Sequence, residues 1–444
     1  MTRIISTVGP VSSNKNLKFV VENSGIIRLN MSHNMPAWHK KNINFVKKLD
    51  PNKYILVDIP GAKPRTLNTS AVNIKKDEKI IFKFKTKKKN KSLIPISNPL
   101  PKLLKKKIKY FSVSDGNFLF KFISLKNNEL IGVSCQSFTL DPRKGLNVPF
   151  SIYDNKYQSK IYINFIKKIS NLKFDCIGLS FVQDSKIISI LKNYYKNKIF
   201  ISKIENYLGY KNRKDIIRVS DAIMIDRGDL AAEVGNENLT DYVDDIIKDC
   251  KFYAKPIIIA TENLNSLINS STPSKSDILN LDYYISKKVD FIMLSDETAT
   301  SKYWKNTIFW LKKYLQSKKK IPNSIKTIDI QEILKKVDNQ VLVVFSKKGY
   351  FLENLRGVNY SKLILFTENK DLSKSSNLKE NINSFYVKFP KKNIDNFLFK
   401  NIKNKKKVIF KYNGTAALLN VTFPRKKSRI NTLIVISKKD FKNR

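Results

Sequence analysis

Short apolar runs rich in β-branched residues recur from the start of the chain: Arg3–Thr7, Gly25–Leu29, Tyr54–Asp58, Phe174–Ser180, Ile199–Lys203, Ala222–Ile225, Pro256–Ala260 and Phe291–Leu294. Between most of them lie polar segments of helical length. Runs buried on both faces and alternating with helices predict βα units in a parallel sheet. Helix starts are visible too: Ser13 precedes Leu17, Val20 and Val21, and Ser274 precedes Ile278, Leu281 and Ile285. Eight such strands favour a closed (β/α)₈ TIM barrel over an open doubly wound sheet.

The interval between Asp58 and Phe174 breaks this rhythm, and a loop of that length needs structure of its own. Alternating stretches within it, Ile80–Thr86 and Asn117–Ile123, predict antiparallel strands. The expected organisation is therefore a barrel from residues 1–65 and 144–317, with an inserted β-barrel lid domain over 66–143. The texture changes again after Lys318. Gln340–Phe345, Lys362–Phe366, Lys407–Tyr412 and Thr432–Ser437 read as strands of a C-terminal α/β domain over 318–444.

A net charge of +47 invites a nucleic-acid reading. The lysines are dispersed, however, in runs such as Lys87–Lys89, Lys105–Lys107, Lys318–Lys320 and Lys405–Lys407, amid abundant Asn, Ile, Phe and Tyr. That usage fits AT-rich codon bias, and no specific nucleic-acid partner is expected. Cys135, Cys176 and Cys250 are too few and too far apart for a disulfide framework or a cysteine zinc site. No apolar run has the length of a membrane span, and the first residues do not read as a signal peptide. A reducing, cytoplasmic setting is expected.

Chemistry gathers after the strands, where barrel enzymes place their reacting groups. The segments are Arg28-Leu29-Asn30-Met31-Ser32-His33, then Asp58-Ile59-Pro60-Gly61-Ala62-Lys63-Pro64-Arg65, and then Ser202-Lys203-Ile204-Glu205-Asn206. Asp226-Arg227-Gly228-Asp229-Leu230, Ala260-Thr261-Glu262 and Leu294-Ser295-Asp296-Glu297-Thr298-Ala299 follow. Together the ordered segments RLNMSH, KGLNVP, SKIEN, RGDL, ATENLNS and LSDETA resemble those of the pyruvate kinase family.

The resemblance implies transfer of the phosphoryl group of phosphoenolpyruvate to ADP, giving ATP and pyruvate, in a cytoplasmic homotetramer. It implies that Lys203 stabilises the transition state and the enolate, that Arg28 grips the migrating phosphoryl group, and that Thr261 lies near the enolate methylene. Gly228 and Asp229 would meet the substrate carboxylate. Asn30, His33, Arg65 and Lys144 would face the nucleotide, with Arg65 also counted among the catalytic groups. Glu205 and Asp229 are hard donors suited to Mg²⁺, with Mn²⁺ as the alternative ion. Ser295 and Glu297 would complete a polar wall, and Asp115 resembles the acidic turn of the lid. His39 reads as a surface residue.

Potassium-dependent members carry DTKGPEIRT where this chain has DIPGAKPRT. Asn30, Ser32 and Asp58 of the monovalent-cation region remain, but Lys63 stands at the glutamate position, so a fixed ammonium would replace K⁺. Ser346-Lys347-Lys348-Gly349-Tyr350 resembles the start of a sugar-phosphate effector loop without its following Arg-Ser. Two other classes stay open: a Mg²⁺-dependent barrel lyase that stabilises an enolate, and a non-catalytic homologue that binds RNA.

Overall fold

The computed structural model describes residues 2–86, 92–104, 108–318, 341–349, 352, 355, 360–379, 381–390, 393–411, 414–421 and 432–441. The expectations placed on Lys87–Lys89, Lys105–Lys107, Lys319, Lys320, Gln340, Tyr350 and Tyr412 lie outside the described residues. Two compact units are present: Thr2–Asp249 with Ile257–Lys312, and Cys250–Pro256 with the described part of Lys313–Arg444.

The first unit contains eight parallel strands: β1 (Arg3–Thr7), β2 (Ile26–Asn30), β3 (Tyr54–Ile59), β4 (Cys176–Leu179), β5 (Ile199–Ile204), β6 (Ala222–Asp226), β7 (Ile257–Ala260) and β8 (Phe291–Leu294). They close in sequence order, with β8 pairing back onto β1 through Arg3–Phe291 to Ser6–Leu294. Nearly every strand residue is buried, which is why these segments read as unbroken Ile/Val/Leu runs. Caps start the crossover helices where the chain leaves the barrel. Asp154 accepts Tyr157 N at 2.7 Å to open Asn155–Ile169, and Ser274 with Asp277 forms a capping box for Lys275–Ser286.

The chain between β3 and β4 forms its own sheets. The largest runs in the order Leu146–Asn147, Tyr110–Val113, Phe118–Lys126, Glu129–Ser134, Lys79–Phe84, Leu93–Ile96. Its pairings are antiparallel except the last, where Lys79–Phe84 and Leu93–Ile96 run parallel. Asn127 and Asn128, at φ 53° and 61°, make the tight hairpin turn, since asparagine tolerates the left-handed region. Phe82, Phe111 and Phe120 fill its core, Phe111 stacking on Phe120 at 5.1 Å.

The second unit holds β9 (Val341–Ser346), β10 (Lys362–Thr367), β11 (Ile382–Tyr386), β12 (Thr415–Val421) and β13 (Thr432–Ser437). Their order is β11-β10-β9-β12-β13, with only β13 antiparallel to its neighbour. Of the strand expected over Lys407–Tyr412, residues 407–409 are instead the end of the helix Ile394–Ile409, whose Leu398, Ile402 and Ile409 pack in the core. Gly349, at φ 84°, turns the chain after β9, and Lys347 pairs with Glu368 at 3.1 Å. Among the described residues no helix is long and apolar enough to cross a membrane.

Candidate active site

The C-terminal ends of β2, β3, β5 and β6 bring one charged network together. Arg28, on β2, donates through Nε (3.0 Å) and Nη2 (2.7 Å) to Asp58 Oδ2 on β3, and through Nη1 to Thr7 Oγ1 (2.8 Å) on β1. Thr7 Oγ1 in turn donates to the Leu294 carbonyl, which fixes its lone pairs toward the guanidinium. Lys203 extends from β5 to meet Glu205 Oε1 at 2.6 Å, Asp58 Oδ2 at 3.3 Å and Asp226 Oδ2 at 3.3 Å. Lys203 and Glu205 share a face because strand side chains alternate with a period of two. Glu205 Oε2 accepts the Phe181 amide at 2.5 Å, so its carboxylate is aimed by the loop after β4.

Thr261 lies just after β7 at φ 60°, and Glu262 follows at φ 51°. Left-handed backbone is unfavourable for a threonine, and such outliers gather at functional sites. The Thr261 hydroxyl accepts Gly228 N at 3.1 Å, and its one proton has two acceptors in reach, the Ala260 carbonyl at 2.7 Å and Asp226 Oδ1 at 3.0 Å. Arg227 holds the same loop from beneath, donating to the Thr261 carbonyl and to Asn263 Oδ1 at 3.1 Å. A side chain at Gly228 would meet nothing closer than Thr261 Oγ1 at 3.7 Å, so protein packing does not demand a glycine there. The space it leaves lies beside the charged network.

Lys63 enters from the loop after β3. Its ammonium meets Asp229 Oδ1 and, at 2.9 Å, Asp115 Oδ1 from the inserted sheets. Gly145 makes room for it: a Cβ there would stand 2.6 Å from Lys63 Nζ. The Asp115 turn therefore does more than reverse the chain, because it carries a carboxylate onto the barrel.

Burial sets the charge states. It would lower the Lys203 ammonium, but Asp58, Glu205 and Asp226 outweigh it and hold the group protonated far above its ordinary range. Lys63 is held up in the same way by Asp229 and Asp115. Asp58 stays ionised despite burial because Lys203 and Arg28 pull it down. Burial pushes Glu205 and Asp229 up, and neighbouring carboxylates add to the effect. Oxygens of Glu205, Asp226 and Asp229 lie within 4.8 Å of one another. Three converging hard donors whose mutual repulsion a cation would relieve fit Mg²⁺ or Mn²⁺. Asp226 was not among the ligands expected from the sequence. Its position three residues before Asp229, at a strand end, was the available signal.

The remaining expected residues make local contacts of their own. Asn30 Oδ1 accepts the Ser32 amide at 3.1 Å, so that side chain shapes the loop. His33 is held below its ordinary range by partial burial and by Arg65, Arg28 and Arg143. Arg65, the last residue before the inserted region, donates to the Arg143 carbonyl at 3.2 Å. Lys144 is drawn toward Asp141, 3.9 Å away. Glu297 ties loops together by accepting Leu264 N and Ser295 N, so it braces the wall from behind. His39 is buried, at 2% exposure, contrary to the surface position expected for it.

Residues 1–308 match the barrel domain of pyruvate kinase. The chain belongs to the pyruvate kinase family. Among curated pyruvate kinases, that of Thermococcus litoralis is 30% identical over 315 residues, 68% of this chain and 66% of the relative. Plastidial pyruvate kinase 3 of Arabidopsis thaliana is 29% identical, covering 68% of this chain but only 55% of the relative. The match to the pyruvate kinase of Thermotoga maritima, 29% identical, covers 74% and 73%. The chain thus spans about two thirds or less of the first two relatives' length. A solved pyruvate kinase structure from Cryptosporidium parvum aligns over 98% of this chain and 96% of its own, with a TM-score of 0.70 at 20% identity, and so shares the fold.

Proposed function

We propose that this pyruvate kinase family member transfers the phosphoryl group of phosphoenolpyruvate to ADP in the cytoplasm, forming ATP and pyruvate. The observation that carries the reading is the Lys203 ammonium, buried at the barrel mouth among Asp58, Glu205 and Asp226 and next to the Arg28 guanidinium.

Glu205 and Asp229, joined by Asp226, would hold the divalent cation. When bound, Mg²⁺ withdraws electron density from the phosphoryl and enolate oxygens. Arg28 is anchored through Nε and Nη2 on Asp58 and through Nη1 on Thr7, and one N–H on each of Nη1 and Nη2 is left for the phosphoryl oxygens. Lys203 offers a fixed positive charge where the C–O–P bridge breaks, and it stabilises the negative charge left on the enolate oxygen. Enolpyruvate then takes a proton at its methylene carbon. The Thr261 hydroxyl, which accepts from Gly228 N and has Asp226 and the Ala260 carbonyl as neighbours, would take part in that path. The open backbone at Gly228 and Asp229 receives the carboxylate.

On the other side of the phosphoryl group, His33, Arg65 and Lys144 face ADP. Lys63 adds a permanent charge beside Asp229, so turnover needs no K⁺. A pyruvate assay coupled to lactate dehydrogenase tests the reading. Pyruvate must form only when phosphoenolpyruvate, ADP and Mg²⁺ are all present. Pyruvate formed from phosphoenolpyruvate without ADP, with release of inorganic phosphate, would mean that water takes the phosphoryl group and would contradict transfer to ADP.

A further inference from the structure

His39 lies on the helix Pro36–Leu49, one turn after the loop that carries His33. Its ring is buried edge-on against Trp38, with centroids 5.1 Å apart. Nε2 stands 2.7 Å from the His33 carbonyl oxygen. A carbonyl only accepts, so Nε2 carries the proton and donates. The other ring nitrogen, Nδ1, is buried and has no hydrogen-bond partner among the described residues. The backbone of His39 also donates to the Met35 carbonyl at 3.3 Å. That backbone bond is the helix's own first turn, so the tie that depends on the side chain is the one from Nε2 to the His33 carbonyl. At the start of the loop, the Asn30 side chain and carbonyl hold Ser32 N and His33 N. After His33, Asn34 turns the chain at φ 61°.

We propose that His39 is a positioning residue: its Nε2–H bond to the His33 carbonyl sets where the His33 ring stands on the nucleotide side of the site, next to Arg65 and Arg143. The proposal rests on the phosphoryl-transfer reading given above. Without the bond, the peptide at His33 is free to rotate and the ring samples positions that do not meet ADP. Phosphoenolpyruvate, held at Arg28, Lys203 and Gly228, is not affected.

The test compares wild type with His39→Leu, His39→Gln and His33→Ala in steady-state kinetics. His39→Leu fills the buried site without a donor, and a single lost hydrogen bond corresponds to a rise of about 3- to 10-fold in KM for ADP. The KM for phosphoenolpyruvate and kcat stay within about twofold, a margin smaller than one net hydrogen bond. His39→Gln places an N–H near the same point and restores the ADP constant. Combining His39→Leu with His33→Ala adds nothing beyond His33→Ala alone. An unchanged KM for ADP in His39→Leu overturns the proposal, as does failure of Gln to rescue.

Wild-type ¹⁵N spectra of the two histidines give a reading independent of how the variants fold. Assigned through His33→Ala, His39 must show the neutral Nε2–H tautomer, and the Nδ1–H form contradicts the proposal. A wild type that makes no pyruvate from phosphoenolpyruvate and ADP overturns the parent reading, while an active wild type with His39→Leu unchanged overturns this one alone.

Discussion

Replacing Lys63 by glutamine removes the ammonium that joins Asp229 to Asp115. Lys63 is 4% exposed, so water cannot substitute for it. Asp229 is then left with Glu205 and Asp226 nearby, and Lys203 alone must balance that cluster. Breaking a buried ion pair from one side costs about 3–5 kcal/mol. The Asp115 side chain is 62% exposed and resolvates, so the lower end, roughly 3 kcal/mol, is expected for Lys63→Gln without metal. Divalent-cation binding shifts the opposite way, because the lysine no longer competes for Asp229 and one positive charge is gone. At a concentration of 100 times Kd a ligand stabilises by about 2.7 kcal/mol. A tighter Kd in the variant therefore gives it a larger metal-induced stabilisation than wild type at the same Mg²⁺. Thermal unfolding of both proteins, in EDTA and in MgCl₂, measures this difference of differences. Equal metal responses, or a metal-free variant as stable as wild type, would refute the reasoning.

Two further predictions follow from the same charges. Glu233 is fully buried; burial pushes its carboxyl up to about 8, with Lys63 and the Asn147 side chain opposing this and Asp229 adding to it. An acid raised in the folded state binds its proton there when the unfolded chain has lost it, so stability falls as pH rises from the ordinary glutamate range through 8. The full excursion is worth up to roughly 5 kcal/mol. Glu233→Gln should match wild type near pH 5 and be the more stable protein by a few kcal/mol above pH 8, read as unfolding midpoints across pH; a constant offset would contradict this. Turnover in buffer free of K⁺ should equal turnover with K⁺ added, because Lys63 already supplies the charge. Strong activation by K⁺ would show that it does not.

The barrel was legible because burial on both faces forces each strand into a continuous apolar run, and β1 and β8 occupy the expected residues. The C-terminal unit was harder to read. Thr415–Val421 contains Ala-Ala-Leu-Leu, residues that favour helix in isolation, and becomes a strand only because β9 and β13 flank it. Val408, Ile409 and Phe410 looked like a strand, but Leu398 and Ile402 upstream set a helical period that intervening lysines obscured. At the site, Arg28 lies on β2, Lys203 on β5 and Glu205 one residue past the end of β5, close to where the apolar runs put them. What the sequence could not supply was partnership. Thr7 under Arg28, Asp115 against Lys63 and His39 beneath His33 depend on contacts between segments far apart in the chain, or on which face of a helix turns inward.

In the proposed reaction the buried Lys203 ammonium is the charge that stabilises the transferring phosphoryl group and the enolate. The most direct measurement is kcat for pyruvate formation by Lys203→Ala, with phosphoenolpyruvate and ADP binding measured separately. The account predicts that kcat falls at least about 100-fold while both ligands still bind. Undiminished kcat in the variant would contradict it.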